Sequence, residues 1–265
     1  MSGHLDVMLG AALAIAIVMI TTWVISLVLR NASIVDIVWG AGFVVVAWIS
    51  LAIGDGTTAR INLLTAMVTI WGLRLTAYLA WRNIGRDEDY RYQSMRRRQG
   101  DGFPIRSLVT VFGLQGLVMF VVSLPIQLAA SATTPDIGWL AVLGVIVWGV
   151  GLFFETVGDA QLARFTADPD NVGAVMDRGL WRYTRHPNYF GDTCIWWGIF
   201  VVAAETTDAR IGVVGPLLMT FMLLRVSGVA MLERGLIKRR EGYDDYMART
   251  PTFFPRSPKE LPSDV

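Results

Sequence analysis

Long, nearly unbroken apolar runs dominate this chain. About seven of them, at roughly 5–29, 34–53, 61–81, 107–130, 137–159, 189–204 and 211–232, approach or exceed the ~18–20 residues a helix needs to cross a bilayer. Lipid offers the backbone no hydrogen-bond partner, so such a run closes its amide bonds internally as a helix. Composition agrees, with 54% hydrophobic and 17% charged residues against roughly a quarter charged in soluble domains. The expected fold is an all-α membrane protein, a bundle of about seven transmembrane helices under polar cap loops. The first run has no basic leader and is far longer than a signal core, so it reads as a membrane span.

Basic residues set the expected orientation. Arg82, Arg86, Arg91, Arg96, Arg97, Arg98 and Arg106 follow the third run. Arg164, Arg178, Arg182 and Arg185 follow the fifth, and Arg234, Lys238, Arg239, Arg240, Arg249, Arg256 and Lys259 follow the last. With Arg30, all of them fall on one side if seven helices run N-out/C-in, and only Arg60 and Arg210 fall on the other. The polar segments near 82–106 and 160–188 then become cytoplasmic cap loops, long enough to suggest function. Residues 1–255 read as one membrane domain, and 256–265, PRSPKELPSDV less its leading proline, as a disordered tail. A single cysteine, Cys194, excludes an internal disulfide, and two histidines make a His-cluster metal site improbable. No tract suggests nucleic-acid binding; the Arg96–Gly100 run suits anionic headgroups or a phosphorylated ligand.

The densest chemistry lies in Gly179–Asp192, GLWRYTRHPNYFGD. Polar and ionisable groups are costly near lipid, so a cluster at the mouth of a bundle points to a ligand. Arg182, Arg185 and His186 suit phosphates, Tyr183 and Tyr189 a flat ring, and Asn188 an amide. Asn188 is expected to begin and cap the sixth helix, whose N-terminus favours an anion. Glu155 and Asp159, four residues apart on one face, need a compensating cation, proton or ligand. Arg225 and Arg74 lie inside apolar runs, where a charge usually pairs. Arg74, Tyr78 and Arg82 form one stripe at four-residue steps. Asp36 either caps its helix or, if buried, acts as a proton donor. Asp192 shares a face with Asn188, and Glu233 reads as an interfacial salt-bridge partner.

Taken together, GLWRYTRHPNYFGD, Trp196–Gly198 and the distal Glu233, Tyr243, Tyr246, Arg249 and Pro255 resemble the C-terminal domain of steroid 5-alpha-reductase-like membrane enzymes. WGLRLTAYLAWRNIGRDEDYRY and FETVGDAQLARF extend the resemblance, to that family's bacterial branch, over about Ser33 to Pro255. RHPNY alone is also similar to isoprenylcysteine methyltransferase-like enzymes. The resemblance implies a seven-helix bundle binding NADPH from the cytoplasmic side, with a lipid-like enone deeper in, in a bacterial inner membrane. It places Asn188 at the nicotinamide end, Asp159 and Arg225 as cofactor contacts, and Arg86, within one residue, near the adenosine phosphate. Tyr183, Arg185, His186 and Tyr189 belong to the same motif, and Asp192 and Arg178 lie beside it. One departure stands out: Trp71 occupies the place of a family tyrosine that polarises the substrate ketone, and the partner glutamate falls near Asp36.

The expected function is therefore NADPH-dependent reduction of an activated C=C bond in a hydrophobic substrate drawn from the bilayer. Asp36, Glu155, Tyr78 and Tyr189 are the candidate acids that stabilise the enolate. An S-adenosylmethionine-dependent methyltransferase acting on a lipid or prenyl-cysteine is the first alternative. A non-catalytic lipid-binding or transport protein is the second.

Overall fold

A computed structural model describes residues 2–55, 59–132, 137–226, 228–237 and 239–259. Lys238, most of the 131–136 linker and the tail beyond Lys259 lie outside the described residues. The described chain is helical, without strands, as long apolar runs in lipid require. Six helices are long and apolar enough to span a membrane: Gly3–Leu29, Ile34–Ile53, Ala59–Asn83, Tyr90–Val122, Trp139–Ala167 and Asp208–Leu236. The run expected at 189–204 folds as a 17-residue helix, short of that length. The protein is thus an integral membrane helical bundle, with six helices of that length among its described residues.

The chain clusters into two compact units, each stitched from separate segments: Met1–Val142 with Ile199–Gly215, and Leu143–Gly198 with Pro216–Val265. In the first, α1 (Ser2–Leu29) turns at Arg30, whose φ of 52° closes the helix in the left-handed region, into α2 (Ile34–Ile53). α2 packs along α3 (Ala59–Asn83) at a contact of two glycines. A Cβ on Gly72 would stand 2.6 Å from the carbonyl oxygen of Gly40, so only glycine permits the approach. Trp71 is fully buried there, its ring 5.6 Å from that of Phe43. The residue that departs from the reductase pattern is therefore part of the core.

α4 (Tyr90–Gln99) is capped by Asp89, whose carboxylate accepts from Arg91 N at 2.9 Å. α5 (Phe103–Ser107) runs through a π-helical stretch, Leu108–Gly113, into α6 (Leu114–Val122). The helix expected unbroken over 107–130 instead restarts after Ser123 as α7 (Leu124–Ala129), because Pro125 removes a donor. Ser123 Oγ and Gln127 Nε2 take up the Met119 and Phe120 carbonyls beside the break, at 2.8 and 2.9 Å. Glu205 accepts from Gly138 N and Ala141 N, both at 3.0 Å, and so caps α8 (Trp139–Ala167). The same carboxylate receives the buried Arg60 at 2.9 Å. Burial resists its ionisation, but these hydrogen bonds outweigh burial and hold Glu205 below the usual carboxylate range.

The second unit is organised by α8 and α9 (Pro187–Ala203). Gly144, Gly151 and Gly158 recur every seven residues on α8 and meet Gly198, Gly191 and Pro187 of an antiparallel α9. A Cβ on Gly151 would stand 2.5 Å from Gly191 O, and one on Gly198 2.6 Å from Gly144 O. Lipid tails are as apolar as leucine, so helices in a bilayer gain from close backbone contact rather than from apolar burial. α10 (Val214–Phe221) then passes through a π-helical turn, Met222–Val226, to α11 (Val229–Leu236) and α12 (Tyr243–Arg249).

Candidate functional site

The glycine contact fixes which polar residues meet in the second unit. A Cβ on Gly191 would stand 2.5 Å from Glu155 N, and one on Gly158 3.4 Å from Asn188 N. The polar face of α8, with Glu155 and Asp159, therefore lies against the first turns of α9. Both carboxylates are buried. Asn188 Nδ2 donates to Asp159 Oδ1 at 3.2 Å, while Asn188 Oδ1 accepts from Tyr189 N at 3.0 Å. The amide is half-buried, and its orientation is set from both ends. Asp192 follows one turn later on the same helix.

α9 begins one residue earlier than expected, at Pro187, not at Asn188. Proline suits the first helical position because its missing N–H has no partner to lose. His186 takes the capping place, its carbonyl accepting Phe190 N at 3.0 Å. Asn188 is thus freed from capping and works as an amide held by a carboxylate. The His186 ring stacks on Tyr189 with centroids 5.5 Å apart and an interplanar angle of 11°.

Arg185 is the most fully bonded residue of the segment. Its Nε donates to Glu233 Oε1 at 2.7 Å, and Nη1 to Met247 O and Thr250 O at 2.9 and 2.7 Å. Nη2 donates to Thr252 Oγ1 at 2.7 Å. A guanidinium has five N–H donors, and this one makes four hydrogen bonds, one to Glu233 and three to the 247–252 stretch. It acts as a buried latch with little left for a phosphate. His186 Nε2 shares Glu233 Oε1 at 3.1 Å, so one carboxylate gathers both motif residues. Glu233 is the salt-bridge partner that its place in the sequence suggested, across 48 residues of chain.

Further ties hold the loop between α8 and α9. Trp181 Nε1 donates to Gly158 O at 3.0 Å, Leu180 N to Gln161 Oε1 at 2.9 Å, and Thr184 Oγ1 to Phe253 O at 2.8 Å. The Tyr246 hydroxyl donates to Trp181 O. Burial, and secondarily the negative charge of Glu233, pushes the Tyr243 phenol up to about 12. Burial also raises Tyr246, so both phenols stay protonated donors at neutral pH. Arg256 N donates to Tyr183 O and Lys259 N to Arg249 O, so backbone pairing continues into the stretch assigned from sequence to the tail. Arg178, Arg182 and Tyr183 face outward. Arg225 is exposed in the π-helical turn, with no side-chain partner among the described residues.

Asp36, Tyr78 and Arg86 lie in the first unit. Asp36 accepts from Arg91 Nη2 at 2.7 Å and from the Tyr92 hydroxyl at 2.8 Å, and Gln115 Nε2 donates to that hydroxyl at 3.2 Å. Asp36 is thus an ion-pair partner rather than a simple helix cap. Tyr78 sits between Arg74 and Arg82, whose guanidinium carbons lie 5.9 and 5.6 Å from its ring, as the four-residue stripe requires. Arg86 is exposed. Sequence reasoning passed over Arg91, Tyr92, Trp181 and Thr184; the heptad of glycines on α8 was the available signal for the α8–α9 face.

A family model described as Protein of unknown function (DUF1295) matches residues 22–250. The chain belongs to this family. The matched stretch includes Arg185 and Glu233, the Asp159–Asn188 pair and the Asp36–Arg91 network, and ends two residues before Thr252. No curated protein and no solved structure matches the chain.

Proposed function

We propose that this member of the family is an NADPH-dependent reductase of an activated C=C bond in a lipid-like membrane substrate, related to the steroid 5-alpha-reductase-like enzymes. The observation that carries the reading is the Asp159–Asn188 pair: a buried carboxylate orients a half-exposed side-chain amide in the first turn of a helix inside a membrane protein. A carboxamide ring is the ligand such an amide complements, with donor to carbonyl. The donor set around it fits a phosphorylated dinucleotide: Arg178 and Arg182 are exposed on the segment leading into α9, and Arg225 is exposed on the last span. Arg185 and His186 serve by holding that segment through Glu233. Bound nicotinamide would supply the hydride.

Asn188 would bind and orient the ring, and Asp159 would hold Asn188 in register. Glu155 and Tyr189 are the candidate acids in the same unit; Asp36 and Tyr78 stand in the other. The Arg-rich segments support a cytoplasmic face for this site by the positive-inside rule, and the resemblance to the bacterial branch suggests an inner membrane. The test is thermal stabilisation of the detergent-purified chain by NADPH, NADH and S-adenosylmethionine, since a ligand that binds the native state raises apparent stability by mass action. NADPH is expected to stabilise the wild type, and Asn188→Ala and Arg225→Ala to weaken the effect. Stabilisation by S-adenosylmethionine alone would sink the reductase reading, and stabilisation by none of the three would favour lipid binding or transport.

A further inference from the structure

We propose that the first unit holds an anionic phospholipid, one acyl chain lying in a groove between α1 and α6 and its headgroup on Arg106. The groove has a volume of about 770 Å³ and is lined almost wholly by apolar atoms. Its lining includes three small residues: Ala12 and Ala16, one turn apart on α1, and Gly113 at the end of the π-helical stretch. Ile20, Val109 and Leu117 are among the larger side chains beside them. Gly116 shows why the gap is local: a Cβ there would already stand 3.2 Å from Ile15 and 3.3 Å from Met19, so the helices touch at that point. A Cβ on Gly113 would meet only its own helix's backbone, at Leu108 O. The extra residue per turn of the π-helix aims a glycine at the gap, and such turns recur at functional sites.

The groove ends at a polar boundary. Trp23, one turn beyond Met19, donates its indole N–H to Pro104 O at 2.8 Å, joining α1 to the start of α5. Tryptophan with its N–H engaged beside a helix end marks the lipid–water interface. Arg106 closes α5 two residues before Leu108 enters the lining. Thr110 Oγ1 donates to Arg106 O at 2.9 Å, and Arg106, Thr110 and Gly113 succeed one another at helical spacing on one side of the rod. The Arg106 guanidinium is exposed, lies against Gly102 and has no carboxylate partner among the described residues. Arg97 and Arg98 are exposed on α4 just upstream. An apolar slot ending on an uncompensated cation at the interface complements an acyl chain ending on a phosphate. A phosphatidylcholine headgroup brings its own cation and loses that complementarity.

The test uses the full chain, delipidated in mild detergent and offered dioleoyl-phosphatidylglycerol and dioleoyl-phosphatidylcholine in equal amounts, with bound lipid counted by native mass spectrometry. The wild type is expected to retain phosphatidylglycerol preferentially. Ala16→Phe places a ring in the groove from a lipid-facing position and is expected to abolish retention. Arg106→Gln is expected to lower the preference for phosphatidylglycerol about fivefold, the effect of one interfacial arginine. Ala12→Phe repeats the block from a second position if Ala16→Phe is not monodisperse. Equal retention of the two lipids by the wild type, or undiminished retention in the blocked variants, overturns the proposal.

Discussion

Arg91 in the first unit and Arg185 in the second are both tied to a carboxylate, but the rest of their company differs. Arg91 bridges Asp36 of α2 and Asp89 at 2.7 and 2.8 Å, and its side chain keeps about a third of its surface exposed. Asp89 is drawn below the usual carboxylate range because the Arg91 hydrogen bonds outweigh the burial that opposes ionisation. Arg185 has one carboxylate, two backbone carbonyls and a hydroxyl, and is almost wholly buried. Arg91 is an adjustable charge pair near water. Arg185 is a rivet, because carbonyls of a folded segment, unlike side chains, do not rearrange to follow a lost partner. Polar groups that look alike in a membrane sequence therefore divide into those that hold the fold and those left free to meet a ligand.

Four substitutions and one titration test that contrast. Arg185→Ala leaves Glu233 with His186 alone of its two partners and strands three further acceptors, and should cost about 3–5 kcal/mol, the range for breaking a buried pair. Thermal unfolding in detergent measures it; a loss no larger than that of Arg91→Ala would erase the distinction. Arg91→Ala is expected to cost roughly 1–2 kcal/mol, since hydrogen bonds to charge are discounted by solvent near the surface. Asn188→Ala removes one donor from Asp159 and should cost only about 1 kcal/mol of stability, yet weaken NADPH-induced stabilisation by about tenfold in affinity, near the value of one hydrogen bond to a ligand. A large fall in unfolding temperature instead would class Asn188 with the rivets. Tyr92→Phe removes one donor from Asp36 and should cost about 1 kcal/mol. The smallest effect belongs to Glu205: its folded pKa is below its ordinary value of 4.5, so its stabilisation is full above that pH and is lost as pH falls further. Glu205→Gln should flatten that part of the stability–pH profile, and an unchanged acid limb would show that other carboxylates set it.

The fold was legible wherever hydrophobic length alone decides it. α1, α2 and α3 follow the sequence-drawn runs within a few residues, because lipid compels helix regardless of packing. The misses occur where a local backbone event competes with apolar length. Pro125 divides one expected helix, Pro187 rather than Asn188 starts another, and two π-helical turns interrupt spans that look continuous in composition. The position of the polar cluster was legible from its cost in lipid. Its internal wiring was not, since the partners of Arg185 lie 48–67 residues away. Glu155, Asp159 and Asn188 come together through Gly144, Gly151 and Gly158, which carry no polar signal at all.

The Arg185 rivet also sets a condition on how the protein is made. Its carbonyl and hydroxyl partners lie between Met247 and Thr252, and are therefore made after the last of the six long spans. Until they arrive, a cation destined for burial stands without most of its acceptors, and the loop ahead of α9 is held only by its ties to α8, without the one from Thr184 to Phe253. A chain cut just after Leu236 would keep all six of these spans yet leave Arg185 with Glu233 as the one remaining acceptor of its four. The 247–252 stretch thus completes a fold whose spans are already in place.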